Sequence, residues 1–379
     1  MIYPEKERKH RMKTTILQNH LASAMKTMKG LVAKDPLNPF SKVRFDVAGT
    51  NVSLAGGNEN IQITCRFQGE TESDGMVMLP GAYLERFIGV MNGKVMLEQS
   101  AVGKVRMTSG GLKFNMSTSS DEYSFSMVGP DEEKGGSIEI SGEIFREMLR
   151  KVRFAMSTDD TRRILEGVYM EIGDGKLAMT ATDGRRMAHV EKELDEAYVK
   201  LSCKIGITIP KITVQTIYAL LDDQEIKIVF DERSVRIVAS SWTLVLKVLA
   251  ENYPNWRRVV PQAALKVAVI DREGFLISLK AAALALNANA SKHVKITLES
   301  GKIVFKASGD ITDSETQMHK CKMSAGEKVA FRFNPDLLVD ALECLDDDEF
   351  SFEYEHEKAA VVLRSSIPWL TVVMPILES

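Results

Sequence analysis

The chain repeats one structural pattern three times, at a spacing that corresponds to a whole domain. A strand-like stretch centred on Leu54 recurs around Met179 and again around Phe305, at intervals of 125 and 126 residues. Solenoid repeats are only about 20–50 residues long. The spacing therefore predicts three copies of an independently folded unit and not a stack of short repeats.

Two further landmarks recur at similar intervals of 124 to 130 residues. Helical patterns with apolar residues at i, i+3 and i+7 each begin near a proline, and they span residues 79–91, 209–221 and 333–345. Short alternating strands follow them, at residues 105–107, 235–237 and 361–363. Together these patterns predict an α+β fold of three repeated domains, with boundaries at residues 1–134, 135–261 and 262–379.

Composition and length fit this organisation. The 379 residues give each third enough chain to bury its own core, and 44% hydrophobic with 27% charged residues is ordinary for a globular protein. No apolar stretch approaches the roughly 20 residues that cross a bilayer, and the charged N-terminus is unlike a secretory signal. These features predict a cytoplasmic protein. Four cysteines without CxxC spacing are then expected to be buried free thiols: Cys65, Cys203, Cys321 and Cys344.

No catalytic motif is present. Phosphate-binding glycine loops, the serine elbow and the HExxH helix are all missing from the sequence. The acidic pair Asp159–Asp160, the run Asp346–Asp348 and the turn residue Asp183 are interpreted as solvated turns and not as metal ligands. His319 and Cys321 alternate onto one strand face without a second pair of zinc ligands. The sequence therefore predicts no enzyme activity, no cofactor and no metal.

Positive charge is concentrated on particular helices although the formal net charge is −3. In the helix predicted at residues 143–153, Arg146, Arg150 and Arg153 form a cationic stripe opposite an apolar one. The repeat offset places Lys26 and Lys280 at the positions equivalent to Arg150. Two interpretations remain open: ordinary solvated helix faces, or contacts to nucleic-acid phosphates that read no bases.

Four motifs resemble the bacterial DNA polymerase III beta subunit family, the sliding clamps, and they occupy residues 157–167, 181–188, 253–261 and 372–375. The resemblance covers the chain from about Met12 and leaves residues 1–11 as an extra N-terminal segment. It implies a DNA polymerase processivity factor in DNA replication. Such a factor is a head-to-tail homodimeric ring with sheets outside and helices around a central hole for duplex DNA. It would be non-catalytic, cytoplasmic and associated with the nucleoid.

The resemblance also assigns residues to three surfaces. DNA-facing cations would be Lys26, Lys29, Lys34, Arg146, Arg150, Arg153, Arg163, Lys211 and Lys280. A cleft between the second and third domains would bind short peptides of polymerases, clamp-loader subunits and repair proteins through Leu165, Thr182, Gly184, Arg185, Arg186, Met187, Pro254, Arg258, Val259, Asn334, Leu337, Val372, Val373, Met374, Pro375 and Ile376. The dimer interface would comprise Phe114, Met116, Ala285 and Leu286.

Two alternatives from other classes follow from the residues. One is a triplicated, β-rich scaffold that binds only proteins and does not encircle DNA. The other is an enzyme that acts on DNA, which the missing motifs disfavour.

Overall fold

The computed structural model describes residues 11–101, 103–118, 127–201, 204–249, 252–261, 265–286, 292–299, 301–319, 321–323, 328–365 and 368–377. Residues 1–10 of the predicted N-terminal segment and Cys203 lie outside the described residues. Within them, no helix is both long and apolar enough to cross a membrane.

Helices form where the sequence predicts them. The described residues contain α1 (Gln18–Thr27), α2 (Gly81–Ile88), α3 (Gly142–Val152), α4 (Lys211–Leu220), α5 (Arg272–Ala283) and α6 (Pro335–Glu343). The apolar stripe of α3 is buried, with Phe145, Leu149 and Val152 fully inaccessible to solvent. Helix α6 begins at a proline, and Asn334 Oδ1 accepts the amide hydrogen of Asp336 at 3.1 Å as an N-cap.

Strands make up the rest of the regular structure and confirm the α+β class. In chain order they are β1 (Lys13–Leu17), β2 (Lys42–Ala48), β3 (Asn51–Gly57), β4 (Ile61–Gln68), β5 (Glu70–Ser73), β6 (Gly75–Pro80), β7 (Lys94–Ala101), β8 (Lys104–Ser109), β9 (Leu112–Ser117), β10 (Gly136–Ser141), β11 (Gly167–Gly173), β12 (Lys176–Thr182), β13 (Arg186–Glu193), β14 (Val199–Leu201), β15 (Ile205–Pro210), β16 (Glu225–Phe230), β17 (Ser234–Val238), β18 (Trp242–Lys247), β19 (Lys266–Asp271), β20 (Val294–Glu299), β21 (Lys302–Ser308), β22 (Asp313–Met318), β23 (Cys321–Met323), β24 (Val329–Phe333), β25 (Glu349–Tyr354), β26 (Val361–Arg364) and β27 (Trp369–Val373).

Contacts group the described residues into two compact units. Unit 1 lies within Met1–Gly142, Lys200–Ser202 and Ala219–Val248, and unit 2 comprises Glu143–Val199, Cys203–Tyr218 and Leu249–Ser379. Unit 1 holds a five-stranded sheet of order β5-β1-β7-β8-β9 and a nine-stranded sheet of order β14-β10-β16-β17-β18-β4-β3-β2-β6. Unit 2 holds a nine-stranded sheet of order β15-β11-β12-β13-β27-β26-β25-β19-β23 and a four-stranded sheet of order β22-β21-β20-β24.

Each nine-stranded sheet joins strands from two successive sequence repeats. In unit 1, β4 of the first repeat pairs antiparallel with β18 of the second. In unit 2, β13 of the second repeat pairs in the same way with β27 of the third. Because the sheets run across the repeats, contacts alone do not separate three domains, and the boundaries at residues 134 and 261 stay predictions.

The thiols follow the sequence expectation where they are described. Cys65, Cys321 and Cys344 are free and buried, and burial raises the pKa of the Cys65 thiol to about 11 and that of Cys344 to about 12. All three are therefore unreactive, uncharged core groups at neutral pH.

Candidate functional site

The turn between β12 and β13 is a tightly hydrogen-bonded loop in unit 2. Asp183 Oδ1 accepts the amide hydrogens of Arg185 and Arg186, both at 2.9 Å. Thr182 Oγ1 donates to the carbonyl of Arg186 at 2.7 Å and accepts from the amide of Gly184 at 3.1 Å. Gly184 has a φ of +85°, a region that favours glycine. Asp183 is thus a turn residue, as predicted.

This turn lies beside the C-terminal segment of the chain. Strands β13 and β27 pair through Arg186 with Val373 and Met187 with Val372. One residue further on, the amide of Met374 donates to the carbonyl of Arg185 at 2.9 Å. Two motifs about 190 residues apart in the sequence therefore lie side by side on adjacent strands, and their assignment to a peptide cleft stays a prediction.

Arg186 anchors helix α6 to the turn. Its guanidinium donates to Asp183 Oδ2 at 3.1 Å, to Asp340 Oδ2 at 2.8 Å and to the carbonyls of Phe154 at 2.8 Å and Leu337 at 3.4 Å. It also lies 5.2 Å from the centre of the Phe154 ring, and only 10% of the side chain is exposed. Because these internal partners occupy four of its five N–H donors, Arg186 mainly shapes the surface.

A buried cluster supports the same surface from below. It consists of Met187, Trp256, Val362 and Val372. The Trp256 indole donates to Glu171 Oε2 at 3.0 Å and stacks on the His189 ring with centroids 4.0 Å apart. Burial lowers the pKa of His189 to about 4, so this imidazole is neutral at physiological pH.

Apolar side chains are exposed around this core. Val259 ends the short 3₁₀ helix that contains Trp256, and its side chain is 52% exposed. Met374 is 46%, Ile376 40% and Leu377 58% exposed. The amide of Ile376 donates to the carbonyl of Arg332 at 2.7 Å, which ties the tail to strand β24. We call Val259, Met374, Ile376 and Leu377 the apolar rim, and such clustered exposed groups are typical of a binding surface.

The other predicted cleft residues are partly buried and partly exposed. Leu165, Leu337, Val373 and Pro375 are buried and so do not belong to the accessible surface. Pro254 and Arg258 are exposed in the segment around Trp256, and Asn334 caps α6. Sequence reasoning did not single out Asp340, Glu171, Phe154 or His189 as supporting residues.

The cations on the helices are not equivalent. Arg150 donates to both carboxylate oxygens of Glu147 at 2.7 Å and also contacts Asp346. Although burial opposes ionisation, these bonds hold the pKa values of Glu147 and Asp346 below their usual range. Lys280 pairs with Glu343 at 2.6 Å. The equivalent cations of the second and third repeats are thus internally compensated. Asp346 lies in the loop after α6 with 74% of its side chain exposed, which agrees with the prediction of a solvated turn residue, and it also accepts these ion pairs.

A buried lysine next to Arg150 was missed by the sequence pattern. Lys151 is only 2% exposed. Its ammonium donates to the carbonyl of Cys344 at 2.7 Å and lies 3.2 Å from Glu147 and 3.4 Å from Asp346. It therefore fixes α3 to the end of α6. Of the other predicted DNA-facing residues, Lys211 is half-buried and the remainder are exposed: Lys26, Lys29, Lys34, Arg146, Arg153 and Arg163.

The predicted dimer residues lie near sheet and helix ends. Strand β9 is the edge strand of its five-stranded sheet, as expected. Phe114 on β9 stacks on Phe87 with centroids 4.1 Å apart, and Met116 is buried. Ala285 is buried and Leu286 half-buried just after helix α5. Among the described residues, no cluster of three or more His, Cys, Asp and Glu side chains could hold a metal ion.

Family models identify the two C-terminal thirds of the chain. Residues 139–255 match the DNA polymerase III beta subunit, central domain, and residues 257–374 match its C-terminal domain. Together the two matches cover well over half of the chain. The chain belongs to the DNA polymerase III beta subunit family. This confirms the resemblance on which the site residues were assigned.

Relatives extend the likeness to the whole length. The beta sliding clamp of Staphylococcus aureus is 25% identical over 360 residues, which cover 90% of this chain and 93% of the relative. The sliding clamp structure of Bacillus subtilis aligns with a TM-score of 0.89 at 21% identity, over 97% of this chain and all of that one. The Helicobacter pylori beta clamp bound to a DNA ligase peptide gives a TM-score of 0.86 at 18% identity, with the same coverage. The fold is therefore that of the beta clamps.

Proposed function

We propose that this chain is a DNA polymerase processivity factor, a sliding clamp that tethers polymerases to duplex DNA without catalysis of its own. The observation that carries the proposal is the match of two successive beta-subunit domains to residues 139–374. The matched region contains the turn between β12 and β13 together with Val259 and Met374 of the apolar rim. A protein-binding scaffold without DNA encirclement explains the family match less well.

The mechanism that we propose is topological. Two protomers, arranged head to tail, close into a ring around duplex DNA. A closed ring leaves a long duplex only when it opens, so retention does not depend on strong contacts. Exposed cations on α1 and α3 then contact phosphates weakly and without sequence preference, because screened phosphate contacts carry no base information. Weak contacts allow the ring to slide.

Ring closure would use the edge strand β9 of one protomer and the region after α5 of its partner. Pairing of exposed sheet edges satisfies backbone groups that would otherwise invite aggregation. We expect Leu286→Asp to yield monomers, because a desolvated carboxylate at an apolar contact is costly. Light scattering measures this directly, and a dimeric mass for the variant would reject the assignment.

Partners would bind at the apolar rim in unit 2. Exposed Met374, Ile376 and Val259 offer apolar contacts to leucine or phenylalanine anchors of a short peptide, and methionine adapts to different shapes. Polymerase and clamp-loader subunits would share this one surface. The relative from Helicobacter pylori, which binds a DNA ligase peptide, supports this kind of partner.

Retention on circular DNA tests the proposed ring. The protein is loaded onto a nicked plasmid by a bacterial clamp loader, isolated by gel filtration, and challenged with 1 M salt, where the screening length is about 3 Å. We expect the protein to remain bound and to leave after the plasmid is linearised. Prompt loss from the intact circle would contradict encirclement.

A further inference from the structure

Arg146 and Arg150 on α3, and Arg153 in the short 3₁₀ turn that follows it, are in different electrostatic states. Arg150 is held by Glu147 and Asp346. The guanidinium groups of Arg146, four residues before Arg150, and of Arg153, three residues after it, form neither a hydrogen bond nor an ion pair with any described residue. Their charge is therefore uncompensated, while that of Arg150 is largely neutralised. If α3 presents charge to a polyanion, Arg146 and Arg153 carry it.

Both uncompensated arginines are held by one aromatic ring. The guanidinium carbon of Arg153 lies 4.0 Å and that of Arg146 4.7 Å from the ring centroid of Tyr218 on α4. These distances fall within the roughly 6 Å at which a cation is attracted to an aromatic face. The two arginines are seven residues apart in the sequence. The half-buried Tyr218 ring thus contacts two side chains of like charge.

The cation–π contact leaves the arginines able to bind anions. A guanidinium that faces a ring uses its π-surface, while its five N–H donors point outward in the plane and remain available to phosphate oxygens. A long arginine side chain otherwise loses considerable rotamer freedom when it is fixed on a ligand. Contact with Tyr218 restricts both side chains before any ligand arrives.

We propose that Tyr218 is a positioning residue for DNA binding, which pre-orders Arg146 on α3 and Arg153 in the turn that follows it as a two-guanidinium phosphate contact. This inference rests on the proposed clamp function and assigns a role within it. Arg150, despite its central place in the cationic stripe, serves instead to brace α3 against Asp346. The charge pattern of the sequence alone does not separate these two roles.

Salt-dependent DNA binding separates positioning from charge. Each phosphate contact that is lost lowers the slope of log affinity against log salt by about 0.9. We expect Arg146→Gln and Arg153→Gln each to weaken binding to a short duplex and to lower this slope by about that amount. Tyr218→Leu keeps both charges, so we expect about a threefold to tenfold weaker affinity with the slope unchanged. Tyr218→Phe retains the aromatic face and should bind within about twofold of the original protein.

A double-mutant cycle and a fold control complete the test. In the Arg146→Gln/Arg153→Gln background, Tyr218→Leu should have no further effect on affinity, because nothing remains to be positioned. Circular dichroism and light scattering check each variant, and Tyr218→Met replaces Tyr218→Leu if the latter does not fold. If Tyr218→Leu binds DNA as tightly as the unmodified protein while the arginine variants bind more weakly, the role of Tyr218 is overturned and the clamp proposal stays intact. Arginine variants with unchanged affinity and slope would overturn DNA binding by α3 itself, while the plasmid experiment tests the ring separately.

Discussion

In each nine-stranded sheet, the pairing of strands from two successive repeats ends in the same backbone hydrogen bond, although the side chains differ. We call the β4–β18 pairing in unit 1 the first joint and the β13–β27 pairing in unit 2 the second joint. In unit 1, the amide of Lys247 donates to the carbonyl of Asn60 at 2.9 Å. In unit 2, the amide of Met374 donates to the carbonyl of Arg185 at the same distance. Each bond lies where the last strand of one repeat leaves the sheet beside a hairpin turn of the repeat before it.

The turns at the two joints are also built alike. Oδ1 of Asn58 accepts the amide hydrogens of the second and third following residues at 2.9 and 3.1 Å. Oδ1 of Asp183 accepts the corresponding pair at 2.9 Å each. Both are turns that a short polar side chain stabilises by bonding nearby backbone amides.

The side chains at the joint then diverge. Buried Ile61 occupies the register position of Arg186, and exposed Lys247 occupies that of Met374. Only the second joint combines an arginine that anchors a helix with an exposed apolar tail. The repeat therefore supplies the same backbone arrangement twice with different side chains, and the proposed partner site lies only at the second of the two.

The largest expected effect comes from replacing Arg186 of unit 2 by isoleucine, the residue at the equivalent position of unit 1. Arg186→Ile removes the donors that Asp183, Asp340 and two carbonyls now use. Breaking a buried ion pair on one side costs about 3–5 kcal/mol, and exposure of Asp340 favours the lower end. We expect urea unfolding to show a loss of about 3 kcal/mol. The matched change Ile61→Val should cost about 1 kcal/mol, and equal effects at the two joints would contradict the distinction.

Acid should weaken the second joint selectively. Burial lowers the pKa of His189 to about 4, and nearby Glu171 opposes this only in part. The unfolded chain takes up this proton below about pH 6.5 and the folded chain does not. The stabilisation that depends on neutral His189 should therefore be fully present above pH 6.5 and be lost progressively between pH 6.5 and 4. At pH 5 the free energy of unfolding should be lower by about 2 kcal/mol.

Hydrogen exchange resolves this effect by region. Thr64 occupies the register position of His189 in the first joint and does not titrate. After correction for intrinsic rates, protection of β13 should drop between pH 7 and 5 more than that of β4. His189→Asn should remove the difference, and equal losses in β4 and β13 would show that His189 is not its source.

The next largest effect should be on partner binding, when the exposed residue of the second joint is replaced by that of the first. Met374→Lys installs the residue of the first joint and removes apolar contact, which is worth about 2 kcal/mol for a methionine, or roughly 30-fold in affinity. Fluorescence polarisation with a peptide that carries adjacent leucine and phenylalanine anchors measures this. The reciprocal Lys247→Met should leave affinity unchanged, and undiminished binding by Met374→Lys would reject the apolar rim as the peptide site.

The smallest effect concerns the turn itself. Gly184 has a φ of +85°, and an added Cβ would lie 3.0 Å from Nη1 of Arg162. Gly184→Ala should cost about 1 kcal/mol, because a side chain is strained in this region. Glu59, at the same place in the first turn, has no positive φ. Glu59→Ala should therefore change thermal stability little, and similar shifts for both variants would argue against strain at Gly184.

Local patterns in the sequence were sufficient to predict many of the elements, while the proximity of turn and tail followed from the family resemblance. Periodicity located α2, α4 and α6, and the repeated strand motif located β3, β12 and β21, because each signal is contained in a short window. The polymerase-clamp motifs then identified Gly184, Met187 and Met374 as neighbours.

Long-range polar contacts could not be predicted in this way. Arg186 meets Asp340 across 154 residues, and Arg150 meets Asp346 across 196. The helical pattern placed Arg150 on a cationic stripe, but it has no means to show that an acid from another repeat neutralises it. Lys151 was likewise hidden, because a lysine on an amphipathic helix is normally exposed.

Counting peptide sites by region tests the central claim most directly. Isothermal titration with the same anchor peptide, combined with hydrogen exchange, reports both the stoichiometry and the place of binding. We expect one site per chain, with protection at residues 182–187, 254–259 and 372–377 and none at residues 57–62 and 242–248. Two sites per chain, or protection at the first joint, would contradict the account that one of two equivalent backbone joints has become the partner site.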